Sequence, residues 1–524
     1  MQCKIDDLPD ELLEYILSLI PPYKDLQECK LVCKRWYRAT KNVTEYSEAH
    51  FQKSVACGLL IWKSLSLTCP MYPTIAKRHS HSACIYDNSM YIFGGCTATW
   101  TTTFNDLWRL DLGTRTWIRP VTMGNYPSPK ACATMVYYKK NFILFGGWSH
   151  PSPYPLHQQW KLFNELHMYS IESNKWTVIN TLETPPPISA HSATIHGNIM
   201  VVFGGASGNG YSSNDVWCLN LDTYNWHKQT TSNVKPQPRY GQSQIVLGKN
   251  HLLVLGGFTG PNAAMNDAWL LTMEGTSWTW KKVNMLNAEW APTRIWCHQA
   301  CKVGNYVVVL SASRHQVKPN DMSISLKVAS QRSISPRMCE SNHARQGNLA
   351  NVDRDENING RHGAFSRSHM QCAHASSHVQ KPIKQPTIFN NDSTSYLAAF
   401  NDQVVRNNST HRQRLEFLTR MEEKFRKHQM KKVLKKSENT LSIFVLDITN
   451  VLSDDCSASW MPSKENDHSG PDERILYSLV VGKRELIVFG GIRKNEQTVI
   501  DTYNTGDSMV YNDLHFINPP QYII

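Results

Sequence analysis

The sequence predicts a mainly β protein, a six-bladed β-propeller preceded by a small α-helical module. Two observations carry this prediction. A short apolar segment that ends in Phe-Gly-Gly or Leu-Gly-Gly occurs five times, whereas the first fifty residues show the apolar spacing of helices. The chain has 524 residues, of which 41% are hydrophobic and 10% aromatic, so it can bury a large core and differs from disordered chains in composition.

The repeat consists of four signals in a fixed order. The second signal, the Gly doublet, advances by 52, 58 and 52 residues and then by 234, at Gly94, Gly146, Gly204, Gly256 and Gly490. An apolar segment that begins with small polar residues precedes each Gly doublet. An Asn-Asp or Asn-Glu pair follows the doublet. A Trp comes next, as Trp117, Trp176, Trp226 and Trp280. Four strands per unit, here A to D, are typical of a propeller blade.

The strand count predicts how the ring closes. A fifth blade begins at 297–303 and 306–310, is interrupted, and resumes at 441–448 with Trp460 as its strand D marker. The sixth blade has strands A to C near 475–481, 485–489 and 511–517 but no strand D before the chain ends. Because an unpaired edge invites aggregation, we expect 59–62, which carries Trp62, to supply it.

These residues resemble the kelch repeat from about Leu59 to the C-terminus, outside the interruption. The predicted boundaries are 59–311 for the closing strand, blades 1 to 4 and part of blade 5, and 441–524 for the remainder of blade 5 and blade 6. The Gly doublet permits close backbone packing, and the strand D Trp fills space between twisted blades.

Residues 5–44 form the helical module. One apolar helix is expected at 8–20 and a second from Leu26 to Trp36, with Pro21-Pro22 between them. So small a module buries little surface alone. The Leu-Pro-Asp-Glu-Leu-Leu segment at Leu8 and the Val-Cys-Lys-Arg-Trp segment at Val32 resemble an F-box; a self-contained helical hairpin is the alternative. Residues 45–58 are predicted to be a helical linker.

An F-box implies binding to the Skp-type adaptor of a cullin-RING ubiquitin ligase. The resemblance assigns a set of residues to the F-box core or the adaptor face, without dividing them between the two: Leu8, Pro9, Leu12, Ile16, Leu17, Val32, Cys33 and Trp36.

The combination of modules, with Phe-Asn-Asp-Leu-Trp-Arg-Leu-Asp-Leu at 104–112 and Pro-Ser-Pro-Tyr-Pro-Leu-His-Gln at 151–158, resembles the F-box only protein 42 family. The likeness covers both modules and the last blade but not the interruption. It implies a noncatalytic substrate receptor of an SCF-type (Skp-cullin-F-box) E3 ubiquitin ligase. The alternatives are a kelch scaffold without a ligase role and a metal-dependent kelch enzyme.

Strand alternation places the long B-to-C loops and the D-to-A loops on one face, where binding sites on rigid scaffolds usually lie. Aromatic and cationic residues there are typical interface anchors. We expect this face to bind a protein substrate, with an acidic recognition segment as one option. The candidate contact residues are Arg78, Trp100, Lys130, Trp148, Tyr154, Tyr211, Arg239, Tyr240, Phe258 and Arg493.

Two sequence clusters suggest zinc superficially: His79, His81 and Cys84, and Cys297, His298 and Cys301. On a strand, however, His298 faces away from the two cysteines beside it. No nucleophile triad or phosphate loop is present. We therefore expect no catalytic residue, metal or cofactor.

The interruption at 312–440 is polar and predicted to be a disordered basic insertion. It holds 22 Lys and Arg against 11 Asp and Glu, a net charge of +11, while the remaining 33 and 32 leave +1. The overall charge of +12 thus argues against a nucleic-acid-binding core and suggests a basic tether that attracts acidic partners.

The chain has no apolar run of membrane-spanning length and no secretory signal, and its 14 cysteines form no C-x-x-C pair. We therefore expect a cytoplasmic or nuclear protein that does not contact membranes. The basic run at Lys431 is a candidate nuclear-import signal, or simply solvated charge.

Overall fold

The computed structural model describes residues 5, 8–65, 73–97, 102–153, 156–157, 160–208, 211–260, 264–295, 297, 299–312, 440–462, 470–493 and 509–520, with backbone alone at 152–153 and 156–157. Residues 313–439 of the insertion, and with them its predicted disorder, lie outside these ranges.

Three helices form the N-terminal module: α1 (Asp10–Ser18), α2 (Lys24–Cys29) and α3 (Lys34–Ala56). Their shared core consists of Leu13, Leu17, Leu26, Ala39 and Val43. α3 is a single helix of 23 residues, so the boundary expected between residues 44 and 45 falls inside a continuous helix. The linker is thus the second half of the third helix of the N-terminal module.

Most of the remaining described residues form six blades of four antiparallel strands, two of which carry a fifth, parallel edge strand. β1 (Ile61–Leu65) follows α3, and blade 1 contains β2 (Ser82–Tyr86), β3 (Ser89–Phe93), β4 (Leu107–Asp111) and β5 (Thr116–Ile118). After the edge strand β6 (Met123–Gly124), blade 2 contains β7 (Thr134–Tyr138) and β8 (Asn141–Phe145), then the loop strands β9 (Trp148–Ser149), β10 (Ser152–Pro153), β11 (Leu156–His157) and β12 (Lys161–Leu162), and finally β13 (Leu166–Ser170) and β14 (Lys175–Val178).

Blade 3 contains β15 (Ser192–His196), β16 (Ile199–Phe203), β17 (Val216–Asn220) and β18 (Trp226–Gln229), and blade 4 contains β19 (Ser243–Leu247), β20 (His251–Phe258), β21 (Ala264–Thr272) and β22 (Thr279–Lys282). After β23 (Asn284–Leu286) and a 3-10 turn (Ala288–Trp290), blade 5 contains β24 (Ala300–Val303), β25 (Tyr306–Ala312), β26 (Leu441–Asp447) and β27 (Ser457–Trp460). Blade 6 contains β28 (Ser478–Val481), β29 (Leu486–Phe489) and β32 (Leu514–Asn518), with the loop hairpin β30 (Ile492–Arg493) and β31 (Met509–Val510).

The ring closes through the strand that precedes it. β1 pairs antiparallel with β32, and Trp62 lies opposite Ile517. The last sheet therefore has the order β1-β32-β29-β28, with the N-terminal strand in the strand D position. The six-bladed architecture predicted from the repeat count is confirmed.

A closed ring of backbone hydrogen bonds links the six turns that precede the strands A. Each turn contains a residue with φ between 51° and 66°: Ser80, Cys132, Ala190, Gly241, Cys297 and Leu476. The N–H of each donates to the carbonyl of its equivalent in the preceding blade at 2.8–3.0 Å, and Ser80 completes the circle by donating to Leu476. Five of the six are not glycine, so the pairing stabilises a backbone conformation that is unfavourable for them.

The predicted roles of the Gly doublet and the strand D Trp are both borne out. A Cβ on Gly94 would lie 2.4 Å from the Lys130 carbonyl oxygen of the next blade, which only glycine avoids. Each Trp packs on the Phe that precedes the doublet of the previous blade: Trp176 on Phe93, Trp226 on Phe145, Trp280 on Phe203 and Trp117 on Phe489, at 4.8–5.3 Å between ring centroids.

The helical module lies on the side of the propeller that carries the A-to-B and C-to-D turns. Phe51 and Val55 of α3 are buried with Val303 and Val308 of blade 5. Tyr23, between α1 and α2, packs beside the A-to-B turn of blade 6, where its hydroxyl donates to Glu485. The long B-to-C loops leave the opposite ends of the strands.

Candidate functional site

Packing of the three helices divides the predicted F-box residues into two groups. Leu17 is fully buried in the helical core, and Trp36 packs against that core. Leu12, Ile16 and Val32 expose 49%, 40% and 61% of their surface. Large apolar side chains exposed on so small a module are typical of an interaction surface.

Two of the predicted residues set helix starts. Pro9 is the exposed residue before α1, and Cys33 is the exposed N-cap of α3, where its Sγ accepts from the Trp36 N–H at 3.5 Å. Half-buried Leu8 lies beside them, and its carbonyl accepts from the Arg35 guanidinium. Arg35 also pairs with Asp10 at 2.7 Å, which ties the start of α1 to the start of α3.

Sequence reasoning missed one prominent member of this surface. Leu31 exposes 84% of its surface beside Val32. α2 ends at Cys29, so Leu31 lies in the turn before α3. Helical periodicity could not orient a turn residue, and its only signal was its place in the Leu-Val-Cys segment. We name Leu12, Ile16, Leu31 and Val32 the F-box apolar face.

On the propeller, three predicted contact residues are structural instead. Arg78, Lys130 and Arg239 are at most 1% exposed, so the expectation that they contact a ligand at the surface is wrong. Arg78 forms a bidentate ion pair with Asp106 at 2.7 and 3.0 Å and donates to the Gly94 carbonyl at 2.9 Å. Arg78 and Arg239 thus tie the strand A turn to strands B and C of their own blades, whereas Lys130 ties it to strand C.

Blades 2, 4 and 6 repeat this arrangement. Lys130 pairs with Glu165 at 2.7 Å, Arg239 with Asp267 at 2.7 and 3.1 Å, and Arg474, which sequence reasoning missed, with Asp513 at 2.5 and 3.0 Å. Burial opposes ionisation of Asp513, but His515 and Arg474 donate to it and lower its pKa to about 2. The charges cancel inside the blades and do not form a positive surface.

The other predicted contact residues have mixed placements. Tyr211 exposes 71% of its surface, whereas Tyr240, Phe258 and Arg493 are half-buried. Tyr240 and Phe258 meet edge to face at 5.5 Å. Trp100 and Tyr154 lie outside the described residues.

Trp148 belongs to an aromatic cluster on the B-to-C loop of blade 2. It is buried, and it stacks on Trp160 at 4.5 Å between centroids while His150 packs edge-on against both rings. Trp160 is 61% exposed and gives this cluster its accessible surface. With Tyr211 of blade 3, it offers aromatic anchors on the long-loop face.

The zinc interpretation finds no support among the residues described. No group of three or more His, Cys, Asp or Glu side chains in those ranges could hold a metal ion. Burial raises the pKa of Cys84 and of Cys301 to about 12, which disfavours the thiolate that zinc requires. His298 lies outside the described residues. Within the same part of the chain, no helix has the length and apolarity needed to cross a bilayer.

Comparison with known proteins agrees with this architecture. The family model described as F-box-like matches residues 5–45, and the one described as FBX42, beta-propeller domain, matches residues 78–280. The chain is 27% identical over 246 residues to kelch domain-containing protein 3 of Homo sapiens and 28% identical over 267 residues to kelch domain-containing protein 2 of Bos taurus.

Those alignments cover 45% and 46% of this chain, which spans 61% of the length of each relative. A solved structure titled "Structure of YjhT" covers 48% of this chain and 77% of its own at 15% identity and a TM-score of 0.38, a likeness too distant to carry an argument. The matched models, the three helices and the six blades agree with one another. The chain therefore resembles F-box and kelch-repeat proteins, and its propeller resembles that of the FBX42 family.

Proposed function

We propose that this protein is the noncatalytic substrate receptor of an SCF-type E3 ubiquitin ligase. In this role its F-box binds a Skp-type adaptor and the cullin-RING core, and its propeller binds the protein to be modified. The protein contributes to catalysis by positioning the target, since holding two reactants in place lowers the barrier to their reaction.

The observation that carries the proposal is the exposure of the F-box apolar face. Other residues of the same module, Tyr23, Phe51 and Val55, are buried against the propeller. A forty-residue helical module that leaves several large apolar side chains in water has an unfilled binding surface. An adaptor would cover it.

The test is co-purification of a Skp-type adaptor with the full chain. We expect the double variant Ile16→Asp, Val32→Asp to lose at least tenfold in adaptor binding, because two buried charges without partners oppose the interface. The matched control is Val121→Asp, Leu182→Asp, which places the same charges on two exposed apolar residues of the propeller. Failure of the wild-type chain to co-purify with the adaptor would favour a kelch scaffold without a ligase role. Undiminished binding by the F-box variant would show that the adaptor binds another surface.

We place the substrate on the long-loop face, at Trp160, Tyr211 and Arg493. Because Arg78 and Arg239 are buried in ion pairs, replacing them would test folding rather than recognition. The informative variant is Trp160→Ala, Tyr211→Ala, Arg493→Ala. Under proteasome inhibition it should retain the adaptor and lose captured substrates, whereas an unchanged set of captured proteins would move the site elsewhere.

The insertion starts on this same face, since Ala312 and Leu441 at its ends lie opposite each other at the strand ends of blade 5. We propose that its charge of +11 attracts acidic partners to the face, an effect that should weaken as salt increases.

We also propose that the protein is cytoplasmic or nuclear and that the basic run at Lys431 acts as a nuclear-import signal. Unchanged localisation after deletion of 431–436 would remove the import role.

A further inference from the structure

The F-box contacts the propeller at two separate points. The first is the C-terminal end of α3, where Phe51 and Val55 are buried against blades 5 and 6 and the chain continues into the closing strand β1. The second is Tyr23, which lies between α1 and α2 and is 1% exposed. A helix held only at one end can pivot about that end, whereas a second contact away from its axis removes this freedom.

The second contact is a polar network around a buried carboxylate. Glu485 is 2% exposed and accepts hydrogen bonds from the Tyr23 hydroxyl, from both terminal nitrogens of Arg115 at 2.8 and 2.9 Å, and from the Asn518 amide at 3.2 Å. The Arg115 guanidinium lies 3.9 Å from the centroid of the Phe516 ring and 5.4 Å from that of Tyr23. Every donor in the network is directed at one carboxylate.

Because the network is buried, Glu485 needs all of its hydrogen-bond donors. An unpaired carboxylate inside a protein is costly, so Glu485 is stable there only with its donors in place. Burial, together with the charge of Glu485, raises the pKa of Tyr23 above its ordinary value, so the phenol keeps the proton that it donates. A Cβ on Gly482 would lie 2.6 Å from the Tyr23 hydroxyl oxygen, so the turn leaves room for this ring.

The network also crosses the point at which the ring closes. Arg115 comes from the C-to-D turn of blade 1, whereas Glu485 and Asn518 belong to blade 6. Arg484, next to Glu485, donates to the Ile20 carbonyl of the F-box at 3.4 Å. The F-box is therefore fixed to the first and last blades at once.

We propose that Tyr23, Arg115 and Glu485 are positioning residues that set the direction in which the F-box presents its adaptor relative to the long-loop face. The expected effect on ubiquitin transfer rests on the proposed receptor function. The rigid attachment itself is a property of the isolated chain and is tested separately.

The first experiment measures orientation in the purified full-length protein. Lysine cross-linking and amide hydrogen exchange are compared between wild type and Tyr23→Phe, which removes one hydroxyl and keeps the ring. We expect about tenfold faster exchange in residues 20–24 and at least twice as many distinct F-box-to-propeller cross-links. Tyr46→Phe is the matched control, since Tyr46 is 74% exposed on α3.

Glu485→Gln and Arg115→Lys give independent variants of the same network. Glu485→Gln keeps an acceptor for Tyr23 without the charge, and Arg115→Lys keeps the charge without the bidentate geometry. Both should broaden the cross-link map while the thermal midpoint of the propeller stays within a few degrees of wild type. Identical maps in all three variants and wild type would overturn the proposal.

The second experiment measures the consequence in a reconstituted ligase with the Skp-type adaptor and the cullin-RING core. The readout is which of the chain's own lysines receive ubiquitin. We expect Tyr23→Phe to bind the adaptor as wild type does but to spread modification over more lysines. If the wild-type protein does not bind the adaptor, the receptor function is refuted. The cross-linking result would still show whether the F-box is rigidly attached to the propeller.

Discussion

Two arginines of this propeller, Arg78 and Arg493, have different roles. Arg78 lies inside blade 1, where Asp106 and a carbonyl satisfy its donors, while Arg493 is half-buried on the loop face. Residue type alone could not separate the two positions. What separates them is an acid that folding brings to Arg78 from 28 residues away.

The buried ion pair of Arg78 and Asp106 predicts how substitutions there change the stability of the protein. Ile295 occupies the position of Arg78 in blade 5, and strand register places Ser442 there where blade 1 has Asp106. We expect Arg78→Ile alone to lower the free energy of unfolding by about 3 kcal/mol, because it leaves a buried carboxylate unpaired. Chemical unfolding at neutral pH measures this loss.

The double variant Arg78→Ile, Asp106→Ser copies blade 5 and should recover most of the loss, since removing both partners of a buried pair costs little. Arg294→Ile is the control, because Arg294 is exposed immediately before Ile295. A double variant that is no more stable than Arg78→Ile would show that the charge of Asp106 is not the cause.

At the scale of elements, α3 and β1 make the N-terminal module part of the propeller. The second half of α3 packs on blade 5, and the strand that follows closes blade 6. Removing residues 1–44 would therefore cut a helix in two and leave its second half, which carries Phe51 and Val55, without its N-terminal turns. Point variants on the F-box apolar face separate adaptor binding from stability in a way that this truncation cannot.

The closing strand gives the element-level prediction. Trp62 is 8% exposed and packs in the cluster that joins blades 5 and 6. Trp62→Ala should cost about 3 kcal/mol of stability through the cavity that it leaves, and proteolysis should then release the N-terminal strand first. Trp160→Ala, a substitution of an exposed Trp, should leave the thermal midpoint within about 2 °C of wild type.

At the scale of the whole molecule, interactions between blades bury histidines around the ring. His191 of blade 3 hydrogen-bonds Thr134 of blade 2 at 2.8 Å, and burial lowers its pKa to about 3. His81 of blade 1 bonds Ser478 of blade 6 at 3.0 Å, and burial, reinforced by Arg78, holds its pKa well below the usual range. Burial therefore favours the neutral ring at both blade contacts.

These pKa values predict acid lability. As the pH falls, histidines of the unfolded chain take up protons near pH 6.5, whereas the buried histidines of the folded chain do so only at lower pH. The contribution of the buried histidines to the free energy of unfolding is therefore complete above pH 6.5 and decreases as the pH falls towards 3. For His191 the loss is about 2 kcal/mol between pH 6.5 and 5. Urea midpoints at pH 7.5 and 5.0 measure it.

His191→Gln should reduce this pH dependence while the protein stays folded, because Gln242 occupies the same position in blade 4. His227→Gln, which changes an exposed histidine, controls for the loss of an imidazole. An unchanged difference between the two pH values in His191→Gln would place the acid sensitivity in other groups.

The sequence by itself determined the ring of six blades, the strand that closes it and the F-box before it. These features depend on local signals that recur, since five of the six blades carry the Gly doublet and all six carry a Trp on strand D. Only the tertiary structure decided which cations are structural, which apolar residues face the adaptor, and that Tyr23 joins the F-box to Glu485. Each of these depends on a partner distant in the chain, 462 residues away for Tyr23, and no local pattern encodes such a partner.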